Sequence, residues 1–196
     1  MGSDPLTLGF DTSAAHCAAA LLSGDRVVVA RHEEMTRGQA ERLIPLLEAV
    51  LAEGRAAWAD LARLGVGVGP GNFTGIRIAV SAARGLALSL DIPAVGVSGF
   101  EAIALTAPEG QIPALPAPRD HLYVKPAGRA PRLLPRTEAE ALGPLAHAPA
   151  PDAFAMAIAR IARTAPRDTP PPAPLYLKPA DAAPARDTPP RILDDA

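Results

Sequence analysis

Three short apolar runs, separated by turn residues, open the chain. They read LTLGFDTS, CAAALLSG and RVVVARHE, and they begin at residues 6, 17 and 26. Because so few residues lie between the runs, they predict antiparallel neighbours in a meander rather than parallel strands joined by helices. The chain is therefore predicted to begin with three consecutive strands.

A helical period replaces this pattern between residues 39 and 53. Apolar residues recur there at spacings of three and four, while charged residues occupy the other positions. This predicts an amphipathic helix that ends at Gly54. Pro45 lies inside the segment and should either kink the helix or mark its effective first turn.

A strand, a glycine loop and a second helix follow. Residues 64–68 are apolar and predict a buried strand, the loop GPGNFTG occupies residues 69–75, and residues 76–90 predict the helix. A further strand at 94–97 and a helix near 100–105 complete a βαβ pattern. The first half is therefore predicted to form a mixed sheet flanked by helices.

The second half holds most of the prolines and few of the glycines. Residues 1–100 contain 4 of the 23 prolines and 13 of the 16 glycines. Proline breaks helices and cannot donate to a strand ladder, so regular structure is predicted only in short pieces. These are strands at 112–115, 121–125 and 175–178, a helix at 153–163, and Pro-rich surface loop or tail at 165–174 and 179–191.

Charge and cysteine content limit the classes of function. The chain has 196 residues, with 19 Lys and Arg against 21 Asp and Glu, for a formal net charge of −2. A protein that grips nucleic acid alone usually has a basic excess, so autonomous tRNA or DNA binding is disfavoured. The single Cys17 can form neither an internal disulfide nor a Cys-rich zinc site, which favours a cytoplasmic setting. Neither a signal peptide nor a membrane-spanning segment is expected.

The loop GPGNFTG carries the most specific candidate chemistry. Glycines before a helix let backbone N–H groups approach an anion at the helix N-terminus. The loop lacks the Gly-Lys-Ser/Thr of a Walker motif, because Ile76 follows Gly75. Two interpretations stay open, namely an anion site and a tight strand-to-helix turn without a ligand.

The end of the first strand carries the second candidate, Asp11, Thr12 and Ser13. A carboxylate followed by hydroxyls can orient a metal-bound water or contact a phosphate. The same three residues can equally hydrogen-bond their own backbone in a turn. No catalytic template is complete in this sequence, so neither a catalytic residue set nor a metal site is predicted.

The second predicted helix has two distinct faces. Small residues at every fourth position from 75 to 87 form a seam that another element can approach closely. A separate polar stripe is either a solvated face or a partner interface, and it consists of Arg77, Ser81 and Arg84.

Three segments together resemble the TsaB (YeaZ) family of bacteria. They read LGFDTS, QAERLIPLLEAVL and GVGPGNFTGIRIAVSAARGLALSLDIPAVGVSGFEAIA, and the third is the most specific. The strong resemblance covers about residues 6–105, and APLYLKPADA near the end is similar to the family's final strand and tail. The segment between them is shorter than is usual for the family.

The resemblance implies an α/β fold of the actin/Hsp70/sugar-kinase-like (ASKHA) type. Two related lobes, each a mixed sheet with flanking helices, would make up this fold, and the second lobe would be reduced here. The implied division is an N-terminal lobe at 1–105, a reduced C-terminal lobe at 106–178 and a Pro-rich tail at 179–196.

The resemblance also implies a role in forming N6-threonylcarbamoyladenosine (t6A) at position 37 of ANN-decoding tRNAs. TsaB is understood as a non-catalytic partner of the catalytic paralogue TsaD, and it forms a homodimer when alone. The ATPase TsaE would be the third member, and tRNA would be contacted only through the complex. The chain by itself would need no cofactor, although a nucleotide at an interface of the complex is compatible with this role.

Departures from TsaD-like proteins bear on catalysis. Those proteins place a His-x-x-x-His metal pair after the strand that corresponds to 94–97, and the matching positions here are Gly99 and Ile103. Neither residue can coordinate a metal. The alternatives are an ATP-binding kinase or transferase of the same fold and a metalloprotease-like protein, although the missing ligands argue against the latter.

Two groups of candidate residues follow. The first is a vestigial phosphate site that now mainly holds the strand-to-helix turn: Asp11, Thr12, Gly69, Gly71, Thr74 and Gly75. The second is an interface for self-association and TsaD binding on the two long helices: Leu43, Leu47, Val50, Ile76, Val80 and Arg84.

Overall fold

The computed structural model describes residues 4–177 and contains two β-sheets. The first sheet has the strand order β3-β2-β1-β4-β5, with β1 (Leu6–Asp11), β2 (His16–Ser23), β3 (Arg26–Glu34), β4 (Leu61–Gly67) and β5 (Ala94–Val97). The second has the order β8-β7-β6-β9, with β6 (Ile112–Ala117), β7 (His121–Val124), β8 (Arg132–Pro135) and β9 (Leu145–His147).

Within the described residues, five helices accompany these sheets. They are α1 (Gln39–Glu53), α2 (Phe73–Leu90), α3 (Gly99–Ala104), α4 (Arg136–Glu140) and α5 (Pro151–Thr164), and a 3-10 turn occupies Trp58–Asp60. The predicted two-sheet α/β architecture with flanking helices is confirmed.

The first sheet combines both predicted connection types. Strands β1, β2 and β3 pair antiparallel as a meander, whereas β1 with β4 and β4 with β5 are parallel. Helix α2 is the crossover between β4 and β5, so the predicted βαβ unit is confirmed. The sheet buries Leu8, Phe10 and Leu64 against α1 and α2 on one of its faces.

Helix α5 covers the opposite face of the first sheet and approaches it very closely. A Cβ atom added to Gly9 would lie 2.7 Å from the Cβ of Ala159, and one added to Gly65 would lie 2.7 Å from the Cβ of Ala162. Arg63 donates hydrogen bonds to the carbonyls of Ala162 and Ala165 at the end of α5. The predicted helix at 153–163 therefore exists, but it packs on the first sheet although its sequence lies in the second half.

Helix α1 spans the predicted residues, with one interpretation corrected. Pro45 lies inside a helix that already begins at Gln39, so the idea that it marks the first turn is wrong. Gly54 follows the last helical residue, as predicted. Two ion pairs, Arg31 with Glu53 and Arg42 with Glu33, connect α1 to the edge strand β3.

The second half differs more from its prediction. Strand β8, helix α4 and strand β9 were not predicted. Residues 175–177 form no strand, although the Leu175 N–H donates to the Val68 carbonyl at 2.8 Å. Lys178 and the predicted tail at 179–196 lie outside the described residues. The division into lobes at residue 105 stays a prediction.

Within residues 4–177, α2 is the single helix long and apolar enough to cross a membrane by length and composition. Its buried residues include Ile76, Ala79 and Val80, which pack in the core of the first sheet. Core helices of globular proteins commonly meet the same two criteria.

Candidate functional site

Asp11 and the glycine loop meet at one edge of the first sheet. Asp11 ends β1, Gly67 ends β4, and these two strands are parallel neighbours. Because parallel neighbours end at the same edge of a sheet, the turn after β1 and the loop before α2 come into contact. The topology therefore brings together the two motifs that the sequence singled out.

The Asp11 carboxylate is fully buried, and one of its oxygens is used three times. Oδ2 accepts hydrogen bonds from the Ser13 N–H and Ser13 Oγ, both at 2.9 Å, and lies 2.8 Å from His16 Nε2. Oδ1 has no hydrogen-bond partner among the described residues. It faces Gly67, where an added Cβ would lie 1.9 Å away. The carboxylate thus organises its own turn, as the second interpretation predicted.

The polar groups of the loop are also paired internally. Thr12 Oγ1 donates to the Gly75 carbonyl at 2.7 Å, and the Asn72 N–H donates to the Ser13 carbonyl at 2.7 Å. Asn72 is the N-cap of α2, and its Oδ1 accepts from the Gly75 N–H at 2.9 Å. This cap satisfies one of the N–H groups with which a helix N-terminus would bind an anion.

Close contact explains the glycines in this loop. A Cβ at Gly71 would lie 2.2 Å from the Ser13 carbonyl oxygen, and one at Gly75 would lie 1.9 Å from that of Thr12. Gly69 has a φ of +96°, which favours glycine. Thr74 is exposed on the first turn of α2. Of the six predicted residues, five are packed together here, and their contacts favour the tight turn over a phosphate cradle.

The interface residues predicted from sequence need a correction. Five of the six point into the chain's own core, because they lie on the faces of α1 and α2 that cover the first sheet. Each of these side chains is at most 4% exposed, so none is available to a partner. The five buried residues are Leu43, Leu47, Val50, Ile76 and Val80. Arg84 is exposed.

The small-residue seam of α2 faces inward, and the polar stripe faces outward. Gly75, Ala79 and Ala83 are buried, as close packing requires. On the outer face, Leu88 continues the stripe one turn beyond Arg84 and is 86% exposed. The spacing 77, 81, 84 and 88 is visible in the sequence, so Leu88 could have been found by extending the stripe by one turn. A groove of about 810 Å³ runs beside it.

A second cavity lies between the two sheets. This cleft of about 710 Å³ is lined from the first sheet's side by the loop at 70–73 and from the second by strand β7 and the turn before it. Among the residues that line it, the rings of Phe73 and Tyr176 have their centres 4.9 Å apart. The Arg77 guanidinium stands 3.9 Å from the centre of the Phe73 ring. No sequence pattern pointed to this cluster, because Tyr176 lies about a hundred residues from Phe73 and Arg77 along the chain.

The positions that match the metal pair of TsaD-like proteins lie on the buried face of α3. A Cβ at Gly99 would lie 2.8 Å from Leu115 Cδ1, and Ile103 is 1% exposed. A longer side chain at Gly99 would therefore displace the packing against the second sheet. No group of three or more metal-ligating side chains occurs within residues 4–177.

Curated relatives of this chain come from several bacteria. It is 36% identical over 97 residues to the "tRNA threonylcarbamoyladenosine biosynthesis protein TsaB" of Escherichia coli K12, which covers 50% of this chain and 42% of that protein. The Bacillus subtilis protein of the same name is 37% identical over 97 residues, with the same coverage. The chain thus matches less than half the length of these relatives.

Solved structures extend the similarity to the whole fold. YeaZ from Pseudomonas aeruginosa has a TM-score of 0.57 and 30% identity, covering 67% of each chain. A second structure, described as similar to peptidase YeaZ from Pseudomonas aeruginosa, has a TM-score of 0.69 and 26% identity and covers 89% of this chain and 100% of that one. The two-sheet ASKHA-like fold expected from the sequence is therefore confirmed.

The family model described as "TsaD: tRNA N6-adenosine threonylcarbamoyltransferase" matches residues 32–158, which is more than half of the chain. The named relatives and the YeaZ structures refine this match. The chain therefore belongs to this family, within which it is a member of the TsaB (YeaZ) group.

Proposed function

We propose that this chain acts in the biosynthesis of t6A in tRNA as a non-catalytic subunit that binds a TsaD-type threonylcarbamoyltransferase. The observation that carries the proposal is the closed loop between Asp11 and Gly75 in a chain whose relatives are named for this pathway. A homodimer in the absence of TsaD and an association with TsaE in the complex belong to the same proposal.

The non-catalytic role is supported by two features: the internal hydrogen bonds of the loop that could bind a phosphate, and the residues at the positions that could bind a metal. Asp11 Oδ2 and the Gly75 N–H are engaged in internal hydrogen bonds, so a phosphate at the loop would have to displace them. Breaking such buried hydrogen bonds costs about 1–3 kcal/mol each. Glycine and isoleucine at 99 and 103 supply no metal ligand.

The outer face of α2 supports a partner-binding role. Leu88 is the most exposed large apolar side chain within residues 4–177, and Gly85 beside it has nothing within 4 Å of an added Cβ. A protruding leucine next to an open glycine lets a partner helix approach closely. Ile44, 37% exposed on α1, adds apolar surface on the neighbouring helix.

Leu88→Glu tests this surface directly. We expect the free energy of unfolding to change by less than about 0.5 kcal/mol, because the side chain is already in solvent. Co-purification with TsaD from the same organism should fall at least tenfold. Leu142→Glu is the matched control, since Leu142 is 40% exposed and follows α4 rather than lying on α2, and it should co-purify as the wild type does.

Val80→Glu tests whether Val80 belongs to the core rather than to a partner-binding surface. Val80 is 4% exposed, so the carboxylate would be buried without a partner, and the chain should lose about 3 kcal/mol or more of stability.

Reconstituted t6A formation should need TsaD together with wild-type chain and should fail with either protein alone. Modification of tRNA by the chain alone would refute the non-catalytic role. Undiminished co-purification of Leu88→Glu would refute the surface.

A further inference from the structure

Arg77, on the outer face of α2, is exposed and yet held in one orientation. Its guanidinium carbon lies 3.9 Å from the centre of the Phe73 ring and 5.8 Å from the centre of the Tyr176 ring. Its Nε donates a hydrogen bond to the Tyr176 hydroxyl at 2.9 Å. Contact with two rings and one directional hydrogen bond together restrict the rotamers of a long side chain that has many of them in solvent.

The guanidinium keeps the edge with which it can bind a carboxylate. The contact with Tyr176 uses Nε, and within residues 4–177 the Nη1 and Nη2 groups of Arg77 have no hydrogen-bond partner. No salt bridge joins Arg77 to an acidic side chain in that part of the chain. The two Nη groups carry parallel N–H donors that match the two oxygens of a carboxylate.

The proline-rich strap that carries Tyr176, residues 166–177, is attached to the molecule without this contact. The Leu175 N–H donates to the Val68 carbonyl at 2.8 Å, and the Leu175 side chain packs against both of the largest buried clusters. The two aromatic rings beside Arg77 are 37% and 40% exposed, so their stack adds little buried surface. The stack therefore serves the orientation of Arg77 more than the attachment of the strap.

Arg77 belongs to the same stripe of α2 as the exposed Leu88. The two residues are eleven positions apart, which is about three turns or about 16 Å along the helix axis. Arg84 lies between them, and α2 contains no acidic residue. The stripe thus presents a fixed positive group at one end and an apolar group at the other, and a helix lying along α2 would contact both.

We propose that Arg77 is the anchor for a carboxylate of the TsaD-type partner, and that Tyr176 and Phe73 are positioning residues that hold Arg77 ready for it. The inference rests on the proposed function and names the chemistry of the partner's surface. That surface is a helix with an Asp or Glu about three turns from an apolar side chain that meets Leu88. The prior ordering favours binding, because an arginine that is free in solvent loses its rotamer freedom when it pairs.

Isothermal titration calorimetry of the full chain with TsaD from the same organism tests the anchor. We expect Arg77→Ala to weaken binding about tenfold, and Arg77→Lys about fivefold, because lysine keeps the charge but loses the paired N–H edge. Tyr176→Phe should weaken binding about threefold, since Arg77 is then less ordered before it binds. Arg26→Ala removes an exposed arginine from β3 and is the matched control, which should stay within about twofold of the wild type.

A double-mutant cycle determines whether Tyr176 acts through Arg77. In the Arg77→Ala background, Tyr176→Phe should cause no further loss of affinity, so the two effects should not add. The free chain gives a readout that needs no partner. The Arg77 Nε–H, assigned by its loss in Arg77→Lys, should give a slowly exchanging NMR signal in the wild type, and exchange should be faster in Tyr176→Phe. The urea midpoint should not change in these variants, because the substituted side chains are exposed.

Five outcomes would overturn the inference. They are wild-type affinity in Arg77→Ala, wild-type affinity in Arg77→Lys, an equal loss in Arg26→Ala, additive losses in the cycle, and an Nε–H signal that Tyr176→Phe leaves unchanged. If the wild type binds TsaD and supports t6A formation while Arg77→Ala binds equally well, the anchor alone is lost. If the wild type does not bind TsaD, the proposed function fails and the anchor fails with it.

Discussion

The two sheets use glycine for opposite purposes. In and around the first sheet, glycines mark places where another part of the chain comes within 3 Å of an added Cβ, as at Gly9, Gly65 and Gly75. Around the second sheet, Gly110 and Gly128 have positive φ values and nothing within 4 Å of an added Cβ. Glycine therefore allows close packing in the first sheet, where Gly24 and Gly38 also serve turns, whereas Gly110 and Gly128 serve turns around the second sheet.

The two sheets also differ in the number of buried residues in the clusters that pack against them. Among the described residues, the cluster between the first sheet and α1 and α2 contains twenty buried residues. The cluster between the second sheet and α4 contains four, and a third cluster of twelve joins the other face of the second sheet to α3 and α5. A large core resists relaxation around a cavity, and a small one near solvent can collapse. The first sheet therefore has the larger core, whereas the face of the second sheet under α4 is lightly packed.

Alanine at Gly75 should have the largest effect, because its Cβ would lie 1.9 Å from a backbone carbonyl oxygen. We expect a loss of more than about 4 kcal/mol in the free energy of unfolding, measured by urea denaturation. Gly85→Ala in the same helix has free space around its Cβ and should gain about 0.5–1 kcal/mol. A wild-type stability for Gly75→Ala would mean that the loop is open rather than closed.

Truncating one buried leucine in each sheet's core compares the cores directly. Leu47 is 0% exposed in the large cluster, and Leu122 is 1% exposed in the small one. We expect Leu47→Ala to cost about 4 kcal/mol and Leu122→Ala about 2 kcal/mol, since the smaller core can relax around the cavity. Thermal and urea unfolding of both variants gives the difference. Equal costs would show that the second core is as rigid as the first.

The smallest expected change in stability concerns Cys17. Its thiol reports on whether solvent reaches the core of the first sheet. Burial, helped by Glu33 and Asp11, raises the pKa of this thiol from 9.0 to about 11. Because the folded state disfavours the thiolate, the stability that this group contributes is present below pH 9 and is lost as the pH rises through about 11. Iodoacetamide at pH 8 should label Cys17 in urea but not in the native protein. Cys17→Ala should flatten the fall in stability above pH 9, and rapid native labelling would contradict the closure.

Local sequence patterns were sufficient to predict most secondary-structure elements of the first half. Strands β1 to β3, helix α1 and strand β5 lie within about two residues of their predicted bounds. Each has a clear apolar period and turn residues on both sides, so short-range preferences agree with the final fold. In the second half, β8 and β9 are four and three residues long, and their short sequences give no period to detect.

The candidate site residues also divide into features that depend on sequence neighbours and features that depend on distant contacts. The glycine spacing and the DTS turn could be found in the sequence, because both depend on neighbours within a few positions. Their closure depends on β1 and β4 being parallel neighbours, a pairing between residues more than fifty positions apart. The inward direction of Leu43, Leu47 and Val50 likewise depends on which face of α1 covers the sheet.

Local sequence patterns were enough to predict the family, the early strands, both long helices and the position of the glycine loop. Contacts between distant segments were needed to show that α5 covers the first sheet, that Leu88 is exposed whereas Val80 is buried, and that Phe73 meets Tyr176. The physical reason is distance along the chain. Apolar period and turn chemistry act over a few residues, whereas burial and charge at a surface depend on contacts between segments far apart in sequence.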